Sequence, residues 1–295
     1  MAADMSSTGL RIDGQCRRMG STRRPDLYQK FAAANFLIPN LPSPLPVEHL
    51  RSIGITHLPG DLPIADFDYL HTLIYTDELA RSGSMGPSGA ITTGMAFGVP
   101  PIIKFGSESL QKRFLPDLLT GKKRICIAIT EPGAGSDVAA IETTAKRSRD
   151  GKFWIVDGEK KWITNGLWSD YATMAVRTNG PGPAGLSLLV VPLLGHEGVS
   201  MRRIRVGGQT SGGTTYISLS DVRVPIENLV GVEELQPRAA GSVDFGEPAG
   251  ARGAERGGAV HDEAGGVWED ADGAAGGAAS DCEVWGGAGE PLGLD

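Results

Sequence analysis

The chain has 295 residues, 40% of them apolar, and 28 Lys and Arg against 35 Asp and Glu give a net charge of −7. That length holds two compact domains, and the mild acidity without any dense Lys/Arg cluster excludes the electrostatic footprint of nucleic-acid binding. No apolar run approaches the roughly 20 residues that span a bilayer, and Cys16, Cys126 and Cys282 are scattered without a CxxC pair, so the sequence reads as soluble and intracellular, with reduced thiols and no metal site.

Residues 1–27 carry Arg11, Arg17, Arg18, Arg23 and Arg24 among serines, a transit-like composition interrupted by Asp4, Asp13 and Asp26 and lacking an amphipathic face. They are read as disordered or targeting-like, with mitochondrial, peroxisomal and cytoplasmic locations left open. Residues 28–124 read as helical. Over 64–82, Phe67, Leu70 and Ile74 recur at helical spacing, with Asp66 and Asp68 favouring the start and Gly83 the end. Over 107–121, Leu110, Phe114 and Leu118 stand four apart, and Pro116 predicts a break between two short helices. The Pro-rich stretch 39–46 is a loop.

From residue 125 the period changes to two. The run 125–130 is apolar, and 153–156 is expected to meet 160–164 across Asp157-Gly158 in a type I′ hairpin. Further strands are predicted over 171–178, 186–193, 199–206 and 214–224. The fold class is therefore α+β: a helical domain, then an antiparallel β-barrel or sandwich domain over 125–232. Over 233–295 the periodicity ends, and about three quarters of the residues are Gly, Ala, Asp, Glu or Val, too few large apolar groups to offset chain entropy. This tail reads as disordered.

Two segments could carry chemistry. Strand 125–130 runs into Thr130, Glu131, Pro132, Gly133, Ala134, Gly135, Ser136 and Asp137, a glycine turn whose N–H groups can meet an anion and whose flanks offer hydroxyls. Trp162, Ile163 and Thr164 put an indole beside a hydroxyl, as a planar cofactor could use. Taken singly, each is better explained by a structural turn or a core tryptophan. His49 and His71 read as hydrogen-bonded or solvated helix residues, Asp66, Asp68, Asp77 and Glu78 as a solvated face, and Glu131 as structural.

Together the segments are more specific. TEPGAGSD, GEKKWITNG and DVRVPIENLVG, preceded by GVPPIIKFGSESLQKRFLPDLLTGKKR, resemble in order and spacing the N-terminal helical and middle β domains of the acyl-CoA dehydrogenase family. The resemblance implies FAD, contacted by Ile127, Ala128, Ile129, Thr130, Gly135, Ser136, Trp162, Ile163 and Thr164. It places Thr130 near the pyrimidine end of the flavin, Ser136 near the pyrophosphate and the acyl-CoA substrate, and Thr164 near N5. The implied reaction removes a proton α to the thioester carbonyl with a glutamate base and passes the β-hydride to the flavin, giving a 2-enoyl-CoA. It further implies an unidentified electron acceptor and a homo-oligomer. A nitroalkane-type flavin oxidase of the same fold and a non-catalytic flavin-binding or interaction remnant are the alternatives.

In this family ENLVG leads into a helical bundle that supplies the glutamate base, so no catalytic residue is assigned here and the chain as written is expected to be inactive. The five residue types that dominate 233–295 are those whose codons begin with G, as expected of a coding sequence read out of frame. Glu234 to Ala239 can be encoded so that the shifted frame reads Asn-Phe-Asn-His-Glu-Arg, which resembles the start of that bundle. Around Val267 to Asp270 the shifted frame permits Phe-Gly-Lys, another family-like block. A genuine low-complexity tail is the competing reading.

Overall fold

A computed structural model of the chain describes residues 25–83, 85–208 and 210–232; the expectations for residues 1–24 and for the tail 233–295 lie outside them. Six helices precede the sheet among the described residues: α1 (Pro25–Ala33), α2 (Val47–Ser52), α3 (Tyr69–Arg81), α4 (Met85–Thr93), α5 (Pro100–Phe105) and α6 (Glu108–Leu119), with a π-helical turn at Gly94–Gly98. The small hairpin of β1 (His57–Leu58) and β2 (Leu62–Pro63) lies between α2 and α3. No described helix is long and apolar enough to cross a membrane.

Local chemistry sets the helix ends. Asp68 caps α3 by accepting from His71 N at 3.1 Å, and the His71 ring reaches back to Asp68 N at 3.4 Å, a capping box. Ser107 caps α6 through Leu110 N at 3.2 Å. Both histidines hold the structural roles read from sequence, His49 through a 2.9 Å contact between Nε2 and Gln111 Oε1.

Two helical expectations need correction. Pro116 lies inside one continuous α6 rather than between two helices; a proline there withdraws one N–H, and the helix has only three residues left to run. Residues 64–68 form a short 3-10 turn and cap before α3, and α3 buries Tyr75 and Leu79 while Leu70 and Ile74 stay exposed. Tyr75 sets that rotation: it stacks on Phe36, its hydroxyl donates to Phe36 O at 2.8 Å, and Asn40 Nδ2 donates to it at 3.2 Å. Burying the phenol satisfies its polar end and so decides the helix face over the aliphatic stripe.

The larger sheet contains β3 (Ile125–Ala128), β4 (Thr144–Arg147), β5 (Phe153–Ile163), β6 (Tyr171–Arg177), β7 (Leu186–Pro192), β8 (Val199–Arg203), β9 (Thr215–Pro225) and β10 (Leu229–Val230). Its order is β10-β7-β6-β4-β5-β9-β8, with β3 beside β6. It is mixed rather than antiparallel throughout, a further correction: β3 runs parallel to β6, and β4 meets β6 in parallel at Thr144↔Arg177. The long connection between β3 and β6 permits the parallel pairing, which a tight turn could not. Strands β5, β6, β7 and β9 share one core containing Trp154, Met174, Leu189 and Val222, while Ile125, Val190 and Val230 join the core of the helices. Burial on both faces explains the unbroken apolar runs of β6 and β7.

The Asp157-Gly158 hairpin does not form. Residues 153–163 are one strand along β9, and the register slips by one residue of β9 between Val156 and Gly158. The extra residue is Asp221, at φ 53°, whose N–H donates to Asp157 Oδ1 at 2.8 Å. Gly158 is needed for a close crossing: a Cβ there would lie 2.7 Å from Thr143 Cα. A glycine chosen for approach of a neighbouring strand looks in sequence like one chosen for a turn.

Candidate functional site

A second bulge shapes the site. Between Lys160 and Ile163 the extra residue lies in β5, and Trp162 adopts φ 62°. A bulky residue in the left-handed region costs on the order of 1 kcal/mol. The bulge reverses the alternation, so Ile163 enters the sheet core at 3% exposure and the Trp162 indole stands 51% exposed, with Lys161 Nζ 5.1 Å from its ring centre. Re-aiming one side chain in this way is the usual use of a bulge beside a binding site.

The glycine turn leaves β3 next to this bulge. Lys161 N donates to Thr130 O at 2.9 Å, and Lys160 Nζ donates to Ile129 O at 2.9 Å and to Glu131 Oε1 at 2.7 Å. The two sequence segments are thus one assembly. Glu131 also accepts from Glu142 N at 2.7 Å and Thr143 N at 3.1 Å. Burial opposes its ionisation, but the Lys160 and Thr143 hydrogen bonds, the Lys160 charge and the Glu142 N–H hold its carboxyl below the usual range. Burial pulls the Lys160 ammonium down to about 8 against the attraction of Glu131. With its carboxylate committed inside the fold, Glu131 is no candidate base, as the sequence suggested.

The expected cofactor residues divide by environment. Ala128 and Ile163 turn their side chains into the sheet core, leaving main chain for any ligand. Ile127, Ile129, Thr130 and Thr164 are half-buried, while Gly135, Ser136 and Trp162 are exposed. Among the described residues, the hydroxyls of Thr130, Ser136 and Thr164 make no hydrogen bond to another side chain or backbone group. A Cβ at Gly133 or Gly135 would meet no protein atom within 4 Å, and neither glycine has positive φ. Packing within the chain therefore does not demand glycine at either position.

Several residues that support the site were given no role by the sequence reading. Arg177 donates to Ala139 O at 2.7 Å, Ile141 O at 2.9 Å, Gly180 O at 2.6 Å and Gly182 O at 3.0 Å, pinning the loop behind the glycine turn. Asn165, left-handed and buried, donates to Ala90 O at 3.3 Å and Ile125 O at 3.4 Å, joining the Thr164 end of β5 to the helices. Asn228 does the same for the last motif, donating to Val190 O at 2.6 Å and accepting from Arg113 at 3.1 Å. No cluster of His, Cys, Asp and Glu suited to a metal occurs among the described residues. The arrangement offers an aromatic face, three hydroxyls and an open glycine turn: a surface for a planar, phosphate-bearing ligand.

Helices packed on a mixed sheet are the fold this chain shares with solved acyl-CoA dehydrogenases. The crystal structure of a probable acyl CoA dehydrogenase from Mycobacterium abscessus aligns at TM-score 0.65 and 31% identity, covering 78% of this chain and 57% of that one. The acyl-CoA dehydrogenase of Bacillus anthracis, solved in complex with FAD, aligns at 0.59 and 28% identity over 70% of this chain and 32% of that one. Residues 51–122 match the family's N-terminal domain and 126–222 its middle domain. Acyl-CoA dehydrogenase apdG of Emericella nidulans is 64% identical over 207 residues, 70% of this chain and 47% of that protein. The chain belongs to the acyl-CoA dehydrogenase family, a family of oxidoreductases, and the resemblance read from its motif blocks is borne out. It spans about half the length of the curated relatives it matches.

Proposed function

We propose that this chain is the flavin-binding part of an FAD-dependent acyl-CoA dehydrogenase, with residues 28–124 and 125–232 as its N-terminal helical and middle β domains. What supports the reading most is the joining of the glycine turn to the bulged Trp162 segment, with the side-chain hydroxyls of Thr130, Ser136 and Thr164 making no hydrogen bond among the described residues. The side chains fit an isoalloxazine and its phosphates. Trp162 supplies an aromatic face, Thr130 and Thr164 supply donors, and the bare glycines leave room for a phosphate to approach the main chain near Ser136. Flavin, when bound, supplies the hydride acceptor for α,β-dehydrogenation of an acyl-CoA thioester to the 2-enoyl-CoA. The role of these residues is to bind and orient, with donors fixed before reaction so that little reorganisation accompanies charge transfer.

The test is to titrate the purified full chain with FAD, following flavin fluorescence and the visible spectrum, and then add acyl-CoA without oxygen. Saturable binding supports the reading; no binding by a folded chain overturns it. We further propose that the chain as written binds flavin without turnover, because residues 233–295 do not resemble the glutamate-bearing helical bundle that follows ENLVG in the family. Bleaching of the bound flavin by an acyl-CoA would refute that. The composition of residues 233–295 supports a frame change near residue 233. Sequencing the transcript across the codons for Asn228 to Ala240 decides it: a frame reading Asn-Phe-Asn-His-Glu-Arg would supply a different C-terminal half, and agreement with the present sequence would end the idea. The whole protein's electron acceptor, acyl chain length and homo-oligomeric assembly belong to the same proposal.

A further inference from the structure

We propose that Lys160 is a positioning residue for the flavin site: its buried ammonium, shared between the Ile129 carbonyl and the Glu131 carboxylate, holds the glycine turn against the bulged Trp162–Thr164 segment. This inference rests on the flavin reading above. Lys160 is wholly buried, an unusual state for lysine, and Glu131 is only 6% exposed. A buried ion pair contributes little net stability over a well-packed apolar pair, because desolvation offsets the attraction. What it adds is geometry, since each of its hydrogen bonds fixes a direction and a distance.

The geometry falls where the site needs it. Among the described residues, three hydrogen bonds join the segment Ile129–Glu131 to the segment Lys160–Thr164. One is the main-chain bond from Lys161 N to Thr130 O, and the other two come from the Lys160 ammonium. The same carboxylate that receives Lys160 also receives the Glu142 and Thr143 N–H groups, so the far end of the glycine loop is gathered to one point. Thr130 sits between the two residues that Lys160 holds, two positions before Lys160 comes Gly158, and two positions after it comes the re-aimed Trp162. Loss of the ammonium leaves one main-chain hydrogen bond to set the spacing between Thr130 and Trp162. Sites of this kind lose affinity when supporting groups let them relax by about an ångström.

The experiment compares Lys160→Met, Glu131→Gln and the double variant Lys160→Met/Glu131→Gln in the full chain, reading thermal stability and FAD Kd separately. Lys160→Met strands a buried carboxylate and is expected to lower Tm sharply; the double variant removes that charge and should recover most of the loss. Its FAD Kd should nevertheless remain at least tenfold weaker than wild type. Val224→Ala, a core cut in β9 away from the turn, should lower Tm while leaving Kd within twofold. A double variant that binds FAD within twofold of wild type overturns the proposal, as does a Val224→Ala protein whose affinity falls in step with its stability. Amide exchange on the wild-type chain needs no variant to fold: bound FAD should slow exchange at Lys161 at least tenfold, and unchanged exchange with FAD bound also overturns it. A wild-type chain that binds no FAD would instead refute the flavin reading on which the inference stands.

Discussion

Gly94 in the π-helical turn and Ile125 in β3 approach so closely that a Cβ at 94 would overlap the Ile125 carbonyl oxygen. The contact sits at the seam between helices and sheet, where Asn165 donates to the same carbonyl and Thr173 Oγ1 donates to Gly98 O at 2.6 Å. The obstacle at Gly94 is backbone, which cannot swing away as a side-chain tip can. Gly94→Ala should therefore destabilise the chain by about 1–3 kcal/mol. At Gly98 the nearest atoms are 3.1 Å away, so Gly98→Ala should be milder. Urea unfolding of both variants checks the order; equal stability of Gly94→Ala and wild type would show that the seam is looser than described.

Asn228 closes the other end of that seam. It is 2% exposed, and its amide links the Val190 carbonyl to Arg113. Asn228→Ala removes both bonds and leaves the Val190 oxygen buried without its side-chain partner, which costs about 1–3 kcal/mol. Asn228→Asp keeps the acceptor for Arg113 but loses the donor to Val190, so it should rescue little. Full rescue by aspartate, measured by thermal melts, would place the stability in the Arg113 contact instead.

What the sequence disclosed depended on whether a residue's neighbours lie near it in the chain. The capping of α3 by Asp68 and the strands β6, β7 and β9 are set by local chemistry and by period, and both were legible. The rotation of α3 was not, because Tyr75 answers to Phe36 and Asn40, thirty-five and more residues away. The Asp157-Gly158 pair carries the composition of a turn, yet its partners are Asp221 and Thr143, which no local rule consults. The site divides the same way. Thr130, Ser136 and Trp162 stand out as residue types, whereas Lys160 lies in a Lys-Lys pair that looks solvated; its inward turn follows the alternation from Trp154 and Val156 along one long strand, which the expected Asp157-Gly158 hairpin hid.

The hydrogen bonds and ion pair of Glu131 give the chain a specific acid sensitivity. Its carboxyl is held below the ordinary 4.5 despite desolvation, by Lys160, Thr143 and the Glu142 N–H. Below the unfolded value the unfolded chain binds more protons than the folded one, so this contribution is complete above pH 4.5 and is lost as pH falls through the folded value. Glu131→Gln, which keeps an acceptor for Lys160 but does not titrate, should be less stable than wild type near neutrality. Its Tm should then fall less steeply on acidification below pH 4.5. Parallel Tm–pH curves for the two proteins would mean that other carboxylates set the acid limb.

Gly135 separates the needs of the fold from those of the ligand. It has no positive φ, and an added Cβ would touch nothing in the chain. Substitution by alanine at such a position narrows the unfolded ensemble and stabilises a protein by roughly 0.4–1 kcal/mol. On the proposed function the same methyl stands where a phosphate approaches the main chain beside Ser136, so Gly135→Ala should melt at or above the wild-type temperature and yet bind FAD at least tenfold more weakly. That combination cannot arise from damage to the fold, because stability and affinity move in opposite directions. A variant with raised Tm and unaltered FAD affinity would mean that the turn is open to solvent on that side, and the phosphate-binding role would then have to pass to main-chain groups nearer Thr130.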